Sequence, residues 1–124
     1  YTLIPGTHEL LRYLKEKYQL GIISNCLVSR KYYELIDHDL AKYFDVVILS
    51  REISIDKPDP RIYRHALKIA KRKPEECAFV DNKIENLNTA RKLGFGIVVF
   101  FANNSHPSKQ FAIVNSLNKL RKLF

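Results

Sequence analysis

The sequence of 124 residues has no apolar run approaching the roughly 20 residues that a membrane-spanning helix requires. Its longest, Ile97-Val98-Val99-Phe100-Phe101-Ala102, has the length of a strand. Only four glycines and five prolines are present, which excludes collagen-like and low-complexity chains. The opening residues Tyr1-Thr2-Leu3-Ile4-Pro5-Gly6 carry no charged leader followed by an apolar core, so no secretory signal is expected. An initial methionine is also missing, which suggests that the sequence begins inside a longer chain. The two cysteines, Cys26 and Cys77, form neither a CxxC motif nor the framework of a secreted disulfide protein. They read as free thiols of a cytoplasmic protein. His8, His38, His65 and His106 have no metal-ligand spacing with them, which argues against zinc. Neither GxGxxG nor GxxxxGK[ST] occurs, so dinucleotide and P-loop fingerprints are absent.

What remains is an ordinary globular composition, 46% apolar and 27% charged, read as one domain over residues 1–124. Basic residues exceed acidic ones by 21 to 13, a net charge of +8 that attracts anions. They are spread over several expected helices, from Arg12 and Lys15 through Arg61, Arg64 and Lys68 to Lys119 and Arg121. That dispersion weighs against a nucleic-acid partner, whose footprint would be one dense arm or stripe. Tyr32-Tyr33 and Phe100-Phe101 read as core residues rather than base-stacking platforms.

Helical and strand periodicities alternate along the chain. Thr7 is the expected cap of a helix over 8–18, with Leu10, Leu11, Leu14 and Tyr18 on one face. Residues 21–25 read as a buried strand, 29–36 as a helix and the β-branched run 45–50 as a second strand. Pro60 suits the first turn of a helix capped by Asp59, in which Ile62, Tyr63, Ala66, Leu67, Ile69 and Ala70 form the apolar stripe to about residue 71. A third strand over 77–81, a helix over 84–93 and a fourth strand over 96–102 follow. A closing helix runs from 108 or 109 to 123, with Phe111, Val114, Leu117, Leu120 and Phe124 as its stripe. Four strands and five helices with connections too long for hairpins predict a parallel sheet covered on both faces. The expected fold class is α/β, a three-layer Rossmann-like domain.

Ligands of such sheets bind beyond the carboxyl ends of the strands. Ser24-Asn25 closes the first strand, Asp81-Asn82 closes the third, and Lys57 lies in the proline-flanked loop Lys57-Pro58-Asp59-Pro60 between them. A hydroxyl, an ammonium and a carboxylate at one rim suit an anion held beside a hard cation.

These segments resemble the haloacid dehalogenase-like hydrolase superfamily, in its subfamily with an inserted helical cap. Pro5-Gly6 with Glu9-Leu10-Leu11 is similar to the segment that re-enters the core after the cap. Gly21-Ile22-Ile23-Ser24-Asn25 resembles the second motif of the family, and Phe44-Asp45 with Lys57-Pro58-Asp59-Pro60-Arg61-Ile62-Tyr63 the third. Cys77-Ala78-Phe79-Val80-Asp81-Asn82, with Glu85-Asn86, Ala90 and Leu93-Gly94-Phe95, resembles the fourth, acidic motif. The resemblance covers residues 1 to about 102. It implies that Ser24, Asn25 and Lys57 hold a phosphoryl group, with Lys57 in the catalytic set. It further implies that Asp81 and Asn82 support Mg²⁺ and that Glu85 and Asn86 assist them. The substrate implied is a small phosphate ester.

The sequence departs from the family at two points. No DxDxT/V motif follows an apolar strand; Asp37-His38-Asp39 has the interval but follows a helix. The nucleophilic aspartate, the first strand and the cap are therefore expected to be absent, and this chain alone to be inactive. At the second point, Asn82 stands where the family has an aspartate, which removes one formal negative charge and is expected to weaken Mg²⁺ binding. In the family the first strand lies between those ending at Ser24 and Asp81. Its absence would leave two bare strand edges for a missing N-terminal segment or a partner strand to fill. The alternative is a non-catalytic α/β module that binds a phosphorylated ligand or a protein.

Overall fold

A computed structural model describes residues 6–25, 39–101, 112–114 and 117–124, the last two stretches beginning with residues described by backbone alone. The helix expected over 29–36, Cys26, the aromatic pair Tyr32-Tyr33, Asp37-His38, His106 and Phe111 lie outside the described residues.

The first helix, α1 (Thr7–Lys15), starts one residue before its expected position. Thr7 is its first residue and not its cap. Gly6 takes the cap position at φ 90°, a left-handed conformation that costs glycine little, and its carbonyl accepts the Leu10 amide at 3.0 Å. Strand β1 (Gly21–Ser24) follows, then a 3-10 turn over Ala41–Tyr43, β2 (Val46–Leu49) and the single-turn helix α2 (Ser50–Ile53). Helix α3 (Pro60–Ala70) begins as the sequence predicts. Pro60 occupies the first turn, where its missing amide would have no partner, and the Asp59 carboxylate accepts the Arg61 amide at 2.9 Å. Strand β3 (Ala78–Asp81), α4 (Ile84–Lys92) and β4 (Ile97–Phe101) complete the alternation.

The tail differs from expectation. Residues Ala112–Val114 form a strand, β5, in parallel register with β4, and only Leu117–Lys122 are helical, as α5. The run of residues 112–114 fits either period over so short a stretch, and pairing with Val99, Phe100 and Phe101 decides it.

All described strand pairs are parallel, and they form two groups: β1 with β2, and β3-β4-β5. Among the described residues β1 and β3 do not pair with each other. One apolar cluster nevertheless joins the groups. Val46 and Ile48 of β2 pack with Ile62 and Tyr63 of α3, Phe79 of β3, Leu87 and Ala90 of α4 and Phe100 of β4. Ile62, Tyr63, Leu87 and Ala90 are fully buried. On the opposite face, Leu10 of α1 and Leu120 of α5 cover Val99 of β4, and Leu40 and Tyr43 cover the outer side of β1 and β2. Helices thus lie on both faces, giving three layers.

Three expectations about burial fail. Helix α1 ends at Lys15, so Tyr18, expected on its apolar face, lies beyond it and is 47% exposed. Ile69 is 49% exposed, because the buried face of α3 runs through Ile62, Tyr63, Ala66 and Ala70 and has rotated away from position 69. The sheet is also incompletely covered. Val80 is 38% and Ile97 44% exposed, and with Ala78 they form an open strip on the same face of the β3-β4 pair on which Val99, the register partner of Val80, is buried under Leu10 and Leu120. No helix among the described residues is long and apolar enough to cross a membrane.

Candidate functional site at the carboxyl ends of β1 and β3

The parallel strands deliver Ser24-Asn25 and Asp81-Asn82 to the same end of the fold, and the loop from Ser54 to Asp59 carries Lys57 between them. Asn25 grips that loop with both ends of its amide. Its Nδ2 donates to the Lys57 carbonyl at 2.9 Å, and its Oδ1 accepts the Lys57 amide at 2.8 Å. The next peptide, Lys57-Pro58, is cis. The Pro58 carbonyl accepts the Thr89 hydroxyl of α4 at 2.8 Å, and the Asp59 amide closes a turn on the Asp56 carbonyl at 2.9 Å. Asn25 after β1, Thr89 of α4 and the loop's own turn therefore fix the backbone from which the Lys57 side chain extends.

The Lys57 ammonium reaches the Asp81 carboxylate at 2.8 Å, with the two side chains 12% and 7% exposed. It also lies 5.9 Å from the centre of the Phe79 ring, within range of a cation–π attraction. Asp81 has three further donors. Its Oδ1 accepts the backbone amides of Asn82 at 2.6 Å and Lys83 at 3.1 Å, where the chain turns into α4. Its Oδ2 accepts Asn86 Nδ2 at 3.1 Å in addition to the ammonium. Beneath them the Tyr63 hydroxyl donates to the Asn86 carbonyl at 2.7 Å. Burial, reinforced by the nearby Asp81 charge, holds the Tyr63 phenol far above its usual pKa, so it stays a neutral donor.

The structure thus brings Asn25, Lys57, Asp81 and Asn86 into one bonded network. Ser24 sits buried immediately before it, at the last position of β1. Asn82 and Glu85 are exposed; Asn82 meets the carboxylate through its backbone, and the Glu85 side chain is not among the donors and acceptors of the network. The residues that sequence reasoning left in other roles are Thr89, unassigned, and Tyr63, assigned to packing alone. Thr89 stands three positions beyond Asn86, the spacing that puts both on one helix face, and this was the available signal. Asn25, whose backbone is the part expected at the phosphoryl group, has a further use that the sequence did not suggest. Its side chain is spent on the Lys57 backbone.

Magnesium, which the resemblance implies, prefers several oxygen ligands at close to octahedral geometry. These residues do not fit it. Asp81 is the one carboxylate of the network, both of its oxygens already accept two donors each, and one donor is a cation. Asn86 turns the nitrogen end of its amide toward Asp81, the only end a carboxylate attracts. Among the described residues no group of three or more His, Cys, Asp or Glu side chains could hold a metal ion.

The haloacid dehalogenase-like hydrolase family matches residues 1–100. A glyceraldehyde 3-phosphate phosphatase of Methanothermobacter thermautotrophicus is 31% identical over 116 residues, covering 92% of this chain and 51% of its own. An (S)-2-haloacid dehalogenase of Burkholderia cepacia is 32% identical over 121 residues, covering 94% and 52%. The crystal structure of a phosphatase of the same family from Thermococcus onnurineus superposes with a TM-score of 0.87 at 25% identity, over 98% of this chain and 58% of that one. The chain spans about half the length of the curated relatives it matches. With its parallel α/β layers and the polar rim at the ends of β1 and β3, it belongs to the haloacid dehalogenase-like hydrolases.

Proposed function

We propose that this chain is the phosphoryl-binding part of a phosphate-ester hydrolase, one partial core domain over residues 1–124. The observation that carries the reading is the clamped, buried Lys57 ammonium at the carboxyl ends of two parallel strands. An ammonium whose backbone is held from β1 by Asn25 and from α4 by Thr89 is oriented before a ligand arrives, so little freedom is lost on binding. Lys57 offsets phosphoryl charge, and the Ser24 hydroxyl with the Asn25 backbone supplies donors beside it. Asp81 and Asn86 hold the ammonium in place, and Asn82 and Glu85 have supporting positions on the solvent side. The phosphatases of small phosphorylated metabolites among its relatives favour a small phosphate ester over a haloacid.

Hydrolysis through an aspartyl-phosphate needs a carboxylate to attack phosphorus while the ester oxygen leaves with a proton. Water then cleaves the acyl phosphate. The sequence has no aspartate pair after an apolar strand, so this carboxylate comes from a segment outside these residues, seated between β1 and β3. The Asp81 network offers magnesium no open ligand, so its ligands in the complete hydrolase would have to come from the same source. A cytoplasmic setting accords with Cys77, a free thiol that burial keeps protonated and that donates to the Lys73 carbonyl.

Inorganic phosphate titrated into the isotope-labelled chain tests the binding part. The expected result is chemical-shift change centred on the amides of Asn25 and Lys57 and its loss in Lys57→Ala. Changes confined to other surfaces would refute it. The missing aspartate pair favours a second reading, a non-catalytic phospholigand module, in which the same residues bind and nothing is turned over. Aryl phosphate turnover by the complete gene product, absent from the 124-residue chain, separates the two.

A further inference from the structure

The four-donor arrangement around Asp81 bears on more than ligand orientation. Each carboxylate oxygen offers two lone-pair directions, and here both are filled on both oxygens: Asn82 and Lys83 amides on Oδ1, the Lys57 ammonium and the Asn86 amide on Oδ2. A hard dication at the roughly 2.1 Å it requires would have to displace one of them. The two backbone amides belong to the turn into α4, and Asn86, whose side-chain amide is the third donor, is buried on α4 with its main-chain carbonyl held by the Tyr63 hydroxyl. That leaves the ammonium, which is almost buried with its partner. A dication arriving beside it would face a like charge about 4 Å away in a poorly solvated setting.

We propose that Lys57 is the resident counter-ion of Asp81 and closes the acidic end of this rim to divalent cations, so that removing the ammonium creates a metal site. The inference does not require the phosphatase reading, because it concerns the chain without ligand. Without the ammonium, Asp81 is a nearly buried carboxylate with three neutral donors and no balancing charge. The exposed Asn82 amide oxygen then lies next to it in sequence, at the solvent side from which an ion enters.

The test is Mn²⁺ titration of the isotope-labelled chain, read as paramagnetic broadening of the Asn82 and Lys83 amides. Wild type is expected to show no selective broadening there, whereas Lys57→Ala shows it at a Mn²⁺ concentration at least about tenfold lower than any reached by wild type. Lys57→Met removes the charge and keeps most of the volume, so the same gain is expected from it if the alanine variant does not fold. Adding Asp81→Asn to either variant should abolish the gain. Broadening of wild type at the concentrations that affect the variants would overturn the proposal. So would failure of a folded variant to gain broadening, because Asp81 would then be no ligand even when released.

Discussion

At Tyr63 one side chain serves two structural ends, its ring filling the centre of the apolar cluster and its hydroxyl holding the Asn86 carbonyl. Tyr63→Phe keeps the ring and loses the hydrogen bond, so stability at neutral pH should fall by about 1 kcal/mol in chemical denaturation. Its pH dependence has a definite sign. Burial, then the Asp81 charge, raises the folded-state pKa above the unfolded one. The contribution is therefore complete below about pH 10 and is lost as pH rises beyond that toward the raised folded value. Circular dichroism against pH should show a shallower alkaline loss for the phenylalanine variant than for wild type. An equal slope would mean that Tyr63 does not titrate on unfolding. Gly96 is constrained by space. A Cβ there would stand 2.5 Å from the Glu75 carbonyl oxygen, so Gly96→Ala should destabilise by about 1–3 kcal/mol as the backbone gives way. Such positions were hidden in the sequence, because a tyrosine in an apolar stripe and a glycine before a strand look ordinary until the partner atoms are known.

Helix α3 joins the lysine loop to the core, and its two isoleucines make a matched pair. Ile62 is fully buried and Ile69 is 49% exposed. Ile62→Ala should cost about 2–5 kcal/mol in denaturant titration, and Ile69→Ala no more than about 0.5 kcal/mol. Similar losses would mean that the helix is rotated from the orientation described. At its start the Asp59 carboxyl is held below its usual pKa by the Arg61 side chain first and the Arg61 amide second. A lowered folded pKa means that the cap is intact above the ordinary carboxylate range and is lost as pH falls through the lowered value. Asp59→Asn should flatten the acid side of the unfolding curve below about pH 4. The elements themselves were largely legible, because proline, capping aspartate and apolar spacing act over a few residues. The strand over 112–114 was not, since its partner is β4, more than ten positions back. Nor was the use of Asn25 or Thr89, whose bonds span loops that no local pattern reports.

For the molecule as a whole, the two strand groups are the main fact. Among the described residues β1 pairs with β2 alone and β3 with β4 alone, beside an exposed apolar strip of Ala78, Val80 and Ile97 at the margin of the face that α1 and α5 cover at Val99. Bare strand edges next to exposed apolar side chains favour self-association. Val80→Lys should leave stability within about 0.5 kcal/mol of wild type and reduce concentration-dependent sedimentation. A large loss of stability would show that the strip is covered after all. The architecture was readable from the alternation of periods and the rim from its motifs. The exposed strip was not, because coverage depends on how far each helix reaches across the strands. The apolar cluster that ties β2 through α3 to β3 and β4 sets the scale of cooperative opening. Slow amide exchange at Ile48 and at Phe100 should therefore report the same opening free energy, although among the described residues no backbone ladder connects the strands that carry them.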